Sequence, residues 1–471
     1  LFSSINTAVQ DHFRTPEGFF NFSMLSEPRP NTEFFRFGEN ITGFGRLCHS
    51  GSIGKDEASF RDVLADVRFG NDCCLLPFDP TEVATNLRME RYAAMKEHGH
   101  LANGFARNGY YLLRPLLPVM IRKFAQRRAL RGWEVPSFPH WPVDRSVDQL
   151  FERLLVLELK TRNLDSIPFI WFWPEGKSGC VLMTHDVETA AGFRDCGALM
   201  TLDDSFGIKA SFQLIPRGRY RVPLSVITSM RASGFEVNVH DWNHDGSLFR
   251  SYDRFLDGAA EINKRAALWH SEGFRSGALY RNPDWLNELQ FAYDMSCPST
   301  ARLDPQPGGC CTLLPWFIGS MLEIPVTTIQ DYSLFHVLNQ YAIDLWRQQV
   351  TAILDGHGMA SFIVHPDYIR APRERRVYVQ LLEYLAGLRS DSNVWIALPG
   401  AVNRWWRERS RMRLVRDGDT WDIQGEGSER ARIAYAHVED DHIVFRVDRP
   451  TEPSLIASSG ARTSRGDESL A

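Results

Sequence analysis

Two carboxylates and three histidines stand in this sequence at spacings suited to metal-assisted hydrolysis. The run Thr184-His185-Asp186-Val187-Glu188 sets two carboxylates two residues apart, so an extended chain points both to one face and a turn after it lets both reach one ion. His240-Asp241-Trp242-Asn243-His244 places two imidazoles four apart, the relation that zinc-binding pairs use when a strand-to-helix turn and one helical step bring them together. Ile363-Val364-His365-Pro366-Asp367 adds a third histidine. Two neutral imidazoles and one carboxylate suit Zn²⁺ or a related divalent ion, with a position left for water. A second carboxylate beside the ion would then be a general base, and a histidine across the cleft a general acid. Each signal alone has a plainer reading: a helix N-cap for Asp186 or Glu188, chance for H-x-x-x-H, a hydrogen-bonded rim residue for His365. Their joint occurrence at strand ends, in this order, points to a site.

The elements that must hold these residues are short apolar runs alternating with helical stretches from Cys180 onward. Strands are expected at 180–184, 209–215, 235–240, 274–279, 291–296, 321–328, 360–365 and 394–398, with helices at 222–233, 254–271, 343–354 and 373–388. That alternation reads as α/β, a parallel barrel or open sheet, in which active residues gather at the carboxyl ends of the strands.

Around this unit the texture differs. Residues 1–145 are mixed, with aromatic clusters, a helical pattern at 82–98 and no fold that the pattern names. Within them 101–133 carries seven basic and no acidic residues beside apolar residues near helical spacing, as does a helix packed on its domain or an interfacial element on anionic lipid. An amphipathic helix is expected at 148–162. Alternating runs between 407 and 450 suggest a small antiparallel β unit, and the Ser, Gly, Arg and Glu-rich tail at 451–471 reads as disordered.

Composition excludes several classes. The 471 residues are 44% hydrophobic and 24% charged, an ordinary globular mixture, and the net charge of −5 lacks the basic surplus of a general nucleic-acid binder. Eight cysteines without a C-x-x-C pair fit a reducing compartment better than a disulfide scaffold. No secretory pattern follows Leu1, which leaves an upstream leader or anchor open, and no apolar run approaches the ~20 residues of a membrane span. A cytoplasmic location is expected, with 110–133 as the segment that would make a peripheral membrane contact. No G-x-S-x-G elbow is present, and Gly176-Lys177-Ser178 lacks the upstream glycine of a phosphate-binding loop.

Taken in order, Val181-Leu182-Met183-Thr184-His185-Asp186-Val187-Glu188, His240-x-x-x-His244, Phe274-Arg275-Ser276-Gly277 and His365 resemble the motifs of the polysaccharide deacetylases with the NodB homology domain, carbohydrate esterase family 4. The resemblance spans about residues 165–400. It implies a distorted (β/α) barrel and metal-dependent removal of acetyl groups from N-acetylated sugars, the ion being Zn²⁺, Co²⁺ or Mn²⁺. It would make Asp186 the base, Glu188, His240 and His244 the metal ligands, His365 the acid, and Arg275 the partner that holds the base. Three departures stand out. Val187 separates the two acidic residues, as in an Asp-Val-Glu subgroup. Arg275-Ser276-Gly277-Ala278 replaces the usual Arg-x-Pro-Tyr, leaving an oxyanion N–H to be sought near Gly277 or Ala278 and Tyr280, Arg281 and Trp316 as candidates for a rebuilt pocket. No aspartate-tryptophan motif orients His365, while His185 reads as structural or as support for a ligand. Two rivals stand against hydrolysis: a non-catalytic glycan-binding module, which could lose ligands freely, and a membrane-peripheral glycan-assembly protein.

Overall fold

The computed structural model describes residues 5–49, 59–93 and 138–448; the basic stretch 101–133 and the tail 451–471 lie outside them. The protein is mixed α/β, built on a curled half-barrel sheet. Its strands run in the order Trp316–Ile318, Met321–Glu323, Tyr293–Asp294, Gly273–Arg275, Glu236–His240, Ser211–Leu214, Cys180–Val187, Met359–Ile363. All neighbours are parallel except the hairpin of the first two, which turns at Gly319 with φ +58°. Trp395–Ala397 adds a further parallel pairing to Cys180–Leu182, beneath the point where Ser211–Leu214 takes over along Thr184–Val187.

Every residue of Cys180–Val187 is buried, as a parallel strand covered on both faces requires. Its outward side chains, with those of the neighbouring strands, pack on helices Ala190–Ser205, Leu224–Ala232, Tyr252–Trp269, Asp344–Asp355 and Pro372–Asp391. Caps fix where two of these begin: the Thr189 side chain accepts from Gly192 N, and Ser251 from Arg254 N. Between Met321–Glu323 and Met359–Ile363 side chains close part of the circle. Thr327 Oγ1 donates to Met359 O at 2.6 Å and accepts from Ser361 N at 2.9 Å, while Thr328 Oγ1 donates to Ser361 O at 2.8 Å.

All eight expected strands are present, seven of them shortened and the one expected at 180–184 extended to Val187. The expected strand at 274–279 stops at Arg275, because Ala278 and Leu279 adopt φ of 53° and break into a turn. Of the helix expected at 82–98, the described residues hold Pro80–Arg88, started by Asp79, whose carboxylate accepts from Thr81 N and Glu82 N; residues 94–98 lie outside them. The C-terminal region holds two antiparallel hairpins, Arg413–Asp417 with Thr420–Gln424 and Ile433–Glu439 with His442–Val447, and Ile433–Glu439 also pairs antiparallel with Ile167–Ile170, residues the sequence reading gave to the barrel. The reason is a shared core: Phe169 and Ile170 are fully buried against Phe13, Leu154 and Ala434 in one apolar cluster. Arg409, itself buried, ties this junction by donating to the carbonyls of His12, Phe13, Ile170 and Trp171. Among the described residues no helix is long and apolar enough to cross a membrane.

Candidate metal centre

Alternation along Cys180–Val187 turns Thr184 and Asp186 to the inside of the curl and His185 to the outside. His185 is fully buried there, its ring nitrogens 3.0 Å from Val364 O and 2.9 Å from Asp203 Oδ2, so its role is structural. Glu188 follows just beyond the strand on the inner side. Neither acidic residue caps the next helix, since Thr189 does.

His240 ends its strand, and the chain then makes an irregular turn rather than the helical step the spacing suggests. Asp241 and His244 both take left-handed backbone (φ 56° and 55°), and the two imidazole rings come to 4.9 Å between centroids. Asp241, which sequence reasoning passed over, is buried and shapes this turn: its carboxylate accepts from Trp242 N at 2.6 Å and from the backbone of Gly277. A Cβ on Gly277 would lie 2.3 Å from Asp241 Oδ2 and 3.0 Å from His244 Cδ2, so glycine lets the two loops touch. Arg219 Nη2 donates to His244 O at 2.7 Å.

Glu188, His240 and His244 offer three ligand atoms that all lie within 4.8 Å of one another. His240 Nδ1 is 3.2 Å from Arg275 O; a carbonyl can only accept, so Nδ1 carries the hydrogen and Nε2 presents its lone pair. Burial pulls this imidazole down to about 4, outweighing Asp186, which keeps it neutral at pH 7. His240 Nε2 is buried without a hydrogen-bond partner among the described residues, and His244 Nε2, also buried, lies 2.9 Å from Glu188 Oε1. Burial pushes Glu188 up, but His244 and His365 outweigh it and hold it well below the usual carboxylate range. Burial pulls His244 down, and Glu188 more than reverses that. Buried, converging ligand atoms of this type, one of them unpartnered, fit a divalent cation, which would displace the His244 proton.

Asp186 stands beside this set, its Oδ2 3.8 Å from His240 Nε2. Its other oxygen accepts from Arg275 Nη1 at 2.9 Å, and the same nitrogen donates to Thr184 Oγ1 at 2.6 Å. Arg275 is fully buried and also donates through Nε to Met295 O at 3.0 Å. Burial raises Asp186, and Arg275 with His240 and His365 overcomes it, so the group is held ionised below the ordinary value. On the opposite side, His365 Nε2 lies 3.6 Å from Glu188 Oε1. Its Nδ1 is 2.7 Å from Asp331 Oδ1. Asp331 is the orienting aspartate that sequence reasoning did not find; its signal was an acidic residue just past an expected strand end.

All six expected residues therefore meet. Of the suggested pocket residues, Arg281 is locked in a buried pair with Glu90, and Trp316 is buried beside the Arg88 guanidinium. Of the two positions expected to offer an oxyanion N–H, the Gly277 amide faces the Asp241 carboxylate. A second ligand-like group, Asp294, Cys297 and Glu323, lies elsewhere on the sheet. Its carboxylates are register neighbours on adjacent strands; burial raises both, as for an acid–carboxylate pair sharing a proton.

No family model and no curated protein matches the chain. Solved structures similar to part of it include a Mycobacterium smegmatis protein assigned as a polysaccharide deacetylase (20% identity, TM-score 0.41, 50% of this chain and 93% of that one). A Puue allantoinase aligns at 16% identity and TM-score 0.40, over 50% of this chain and 92% of that one. A family 4 acetyl xylan esterase from Clostridium thermocellum, in complex with a cobalt ion, aligns at 16% identity and TM-score 0.30, over 48% and 91%. No activity is read from likeness at this level.

Proposed function

We propose that residues 165–400 form a NodB-type (β/α) barrel that removes an acetyl group from an N-acetylated sugar or glycan in a metal-dependent hydrolysis. The observation that carries this reading is the convergence of Glu188, His240 and His244 between an arginine-clamped carboxylate and an aspartate-clamped histidine. The acetyl-sugar substrate class comes from the motif resemblance. Glu188, His240 and His244 would hold one divalent ion, Zn²⁺ foremost. Such an ion, when bound, supplies an acidified water and positive charge for the developing oxyanion.

The remaining steps belong to the chain's own groups. Asp186, kept ionised by Arg275, accepts the proton from the attacking water. Arg275, anchored by Thr184 and Met295 O, stops the carboxylate from rotating toward the histidines. His365, held protonated by Asp331, delivers a proton to the departing amine nitrogen; proton transfer of this kind contributes roughly 10²–10⁴ in rate. A cytoplasmic setting, with the cysteines reduced, belongs to the same reading.

The test combines metal analysis of the purified protein with acetate release from N-acetylglucosamine oligomers and nucleotide-linked N-acetyl sugars. About one ion per chain, with activity lost on chelation and restored by Zn²⁺ or Co²⁺, is the expected result. A protein that neither holds nor takes up such an ion contradicts the reading.

A further inference from the structure

The loop after the Ser211–Leu214 strand reads Pro216-Arg217-Gly218-Arg219-Tyr220-Arg221, three arginines in five residues in a chain whose net charge is −5. It lies on the rim of the metal centre. Tyr220 OH donates to Val187 O at 2.6 Å, next to Glu188, and Ile215 N donates back to that hydroxyl at 2.9 Å, which fixes the loop. The Tyr220 ring stacks on Phe193 at 4.7 Å and 16°. On the other side Arg219 reaches the carbonyls of His244 and Asn243, and the Arg217 guanidinium lies 5.6 Å from the Trp242 ring centroid.

Arg217, Arg219 and Arg221 are all exposed, and none is paired with a carboxylate among the described residues. The nearby acids are bonded to other groups: Asp245 accepts from Ser247 and Asn243 and faces Arg254, and Glu261, which also feels the Arg217 charge, is bonded to Lys264 at 2.6 Å. A fixed loop of guanidinium groups that make no ion pair among the described residues, beside a site that must bind a sugar, is suited to an anion, because arginine's planar fork matches phosphate and carboxylate oxygens.

We propose that the Arg217–Arg221 loop is an anion-binding subsite and that the substrate is an acidic N-acylated sugar, carrying a phosphate or a carboxylate near the acyl group. This rests on the hydrolase reading of the centre. Arg217 and Arg221 contact the anion, while Arg219 is reserved for positioning His244.

The test is equilibrium binding to the full chain of three probes: N-acetylglucosamine, N-acetylglucosamine 1-phosphate, and a glucuronic acid–N-acetylglucosamine disaccharide. One or both acidic sugars should bind about tenfold or more tightly than the neutral one, as for hydrogen bonds to charged groups, with a preference that shrinks as salt is raised. The arm that gains more assigns phosphate or carboxylate. The double variant Arg217→Gln/Arg221→Gln should bring acidic and neutral affinities within about twofold, whereas the charge-matched Arg413→Gln/Arg416→Gln on the C-terminal hairpin should keep the preference. Equal binding of acidic and neutral sugars, no binding of any probe, or a preference that survives in the loop double variant overturns the proposal. A salt-sensitive preference without acetate release would instead leave the subsite standing and retire the hydrolase reading.

Discussion

Asp331 grips His365 twice, one oxygen 2.7 Å from the ring Nδ1 and the other accepting the His365 backbone N–H at 2.8 Å. Both side chains are buried, so the ring is fixed in orientation and, since a carboxylate only accepts, in tautomer. Burial pulls the imidazole down, but Asp331 and Glu188 overcome it and raise it well above its ordinary value. A general acid must be protonated, so activity falls as pH rises through this value. Asp331→Asn lowers it, and the alkaline limb of the pH–rate profile should therefore move to lower pH. Each unit of movement corresponds to about 1.4 kcal/mol between the two protonation states. Metal content should stay unchanged; a profile that keeps its alkaline limb would mean that His365 is not the acid.

The sign reverses for the base. Arg275 is the main group that offsets burial at Asp186, so removing it raises the carboxylate. A base must be ionised, and the acidic limb of Arg275→Met should move to higher pH. The same variant leaves a buried carboxylate without its partner, which costs roughly 3–5 kcal/mol of stability. Thermal melting and a pH profile read the two effects separately.

Glu90 and Arg281 test the link between the N-terminal residues and the barrel. Arg281 donates to both Glu90 oxygens at 2.9 Å, and through Nη1 to Leu279 O at 2.8 Å, in a loop that borders His244. Glu90→Ala should cost roughly 3–5 kcal/mol in denaturant unfolding, and Glu90→Leu combined with Arg281→Met should recover much of it, because the burial penalty of both charges is then removed. Equal loss in single and double variants would show that packing, not the pair, matters here.

Gly277→Ala should drive a methyl group into Asp241 and onto His244. Displacing the support of a ligand typically costs 10–100-fold in metal affinity. Titration with Zn²⁺ against a competing chelator measures it, and an unchanged affinity would separate the loop from the centre.

What the sequence disclosed, and what it withheld, follows from how local each signal is. The strands and helices were legible from apolar period alone, since Cys180–Val187 and Tyr252–Trp269 carry their burial pattern in their own residues. Five of the six candidate site residues were legible because they sit at or just past strand ends with reactive side chains, whereas Arg275 was legible only through the motif resemblance. Asp331 and Asp241 were not, because their importance lies in contacts across 34 residues with His365 and across a loop with Gly277. The His240–His244 turn was misread as helical: spacing alone does not encode the left-handed backbone of Asp241 and His244. The pairing of Ile167–Ile170 with Ile433–Glu439 was withheld for a similar reason, the partner strand lying more than 250 residues away in the chain.

The central claim is that Asp186 and Glu188, two residues apart, do different work, and the most direct measurement pairs metal content with rate in four variants. Asp186→Asn should keep the ion while acetate release falls by about 10²–10⁴-fold. Glu188→Ala and His240→Ala should lose ion and activity together. His365→Ala should keep the ion, with a smaller loss on an acetyl ester, whose leaving group needs less protonation. If Asp186→Asn loses the ion while Glu188→Ala retains it, base and ligand are exchanged; if all four retain full activity, the site lies elsewhere.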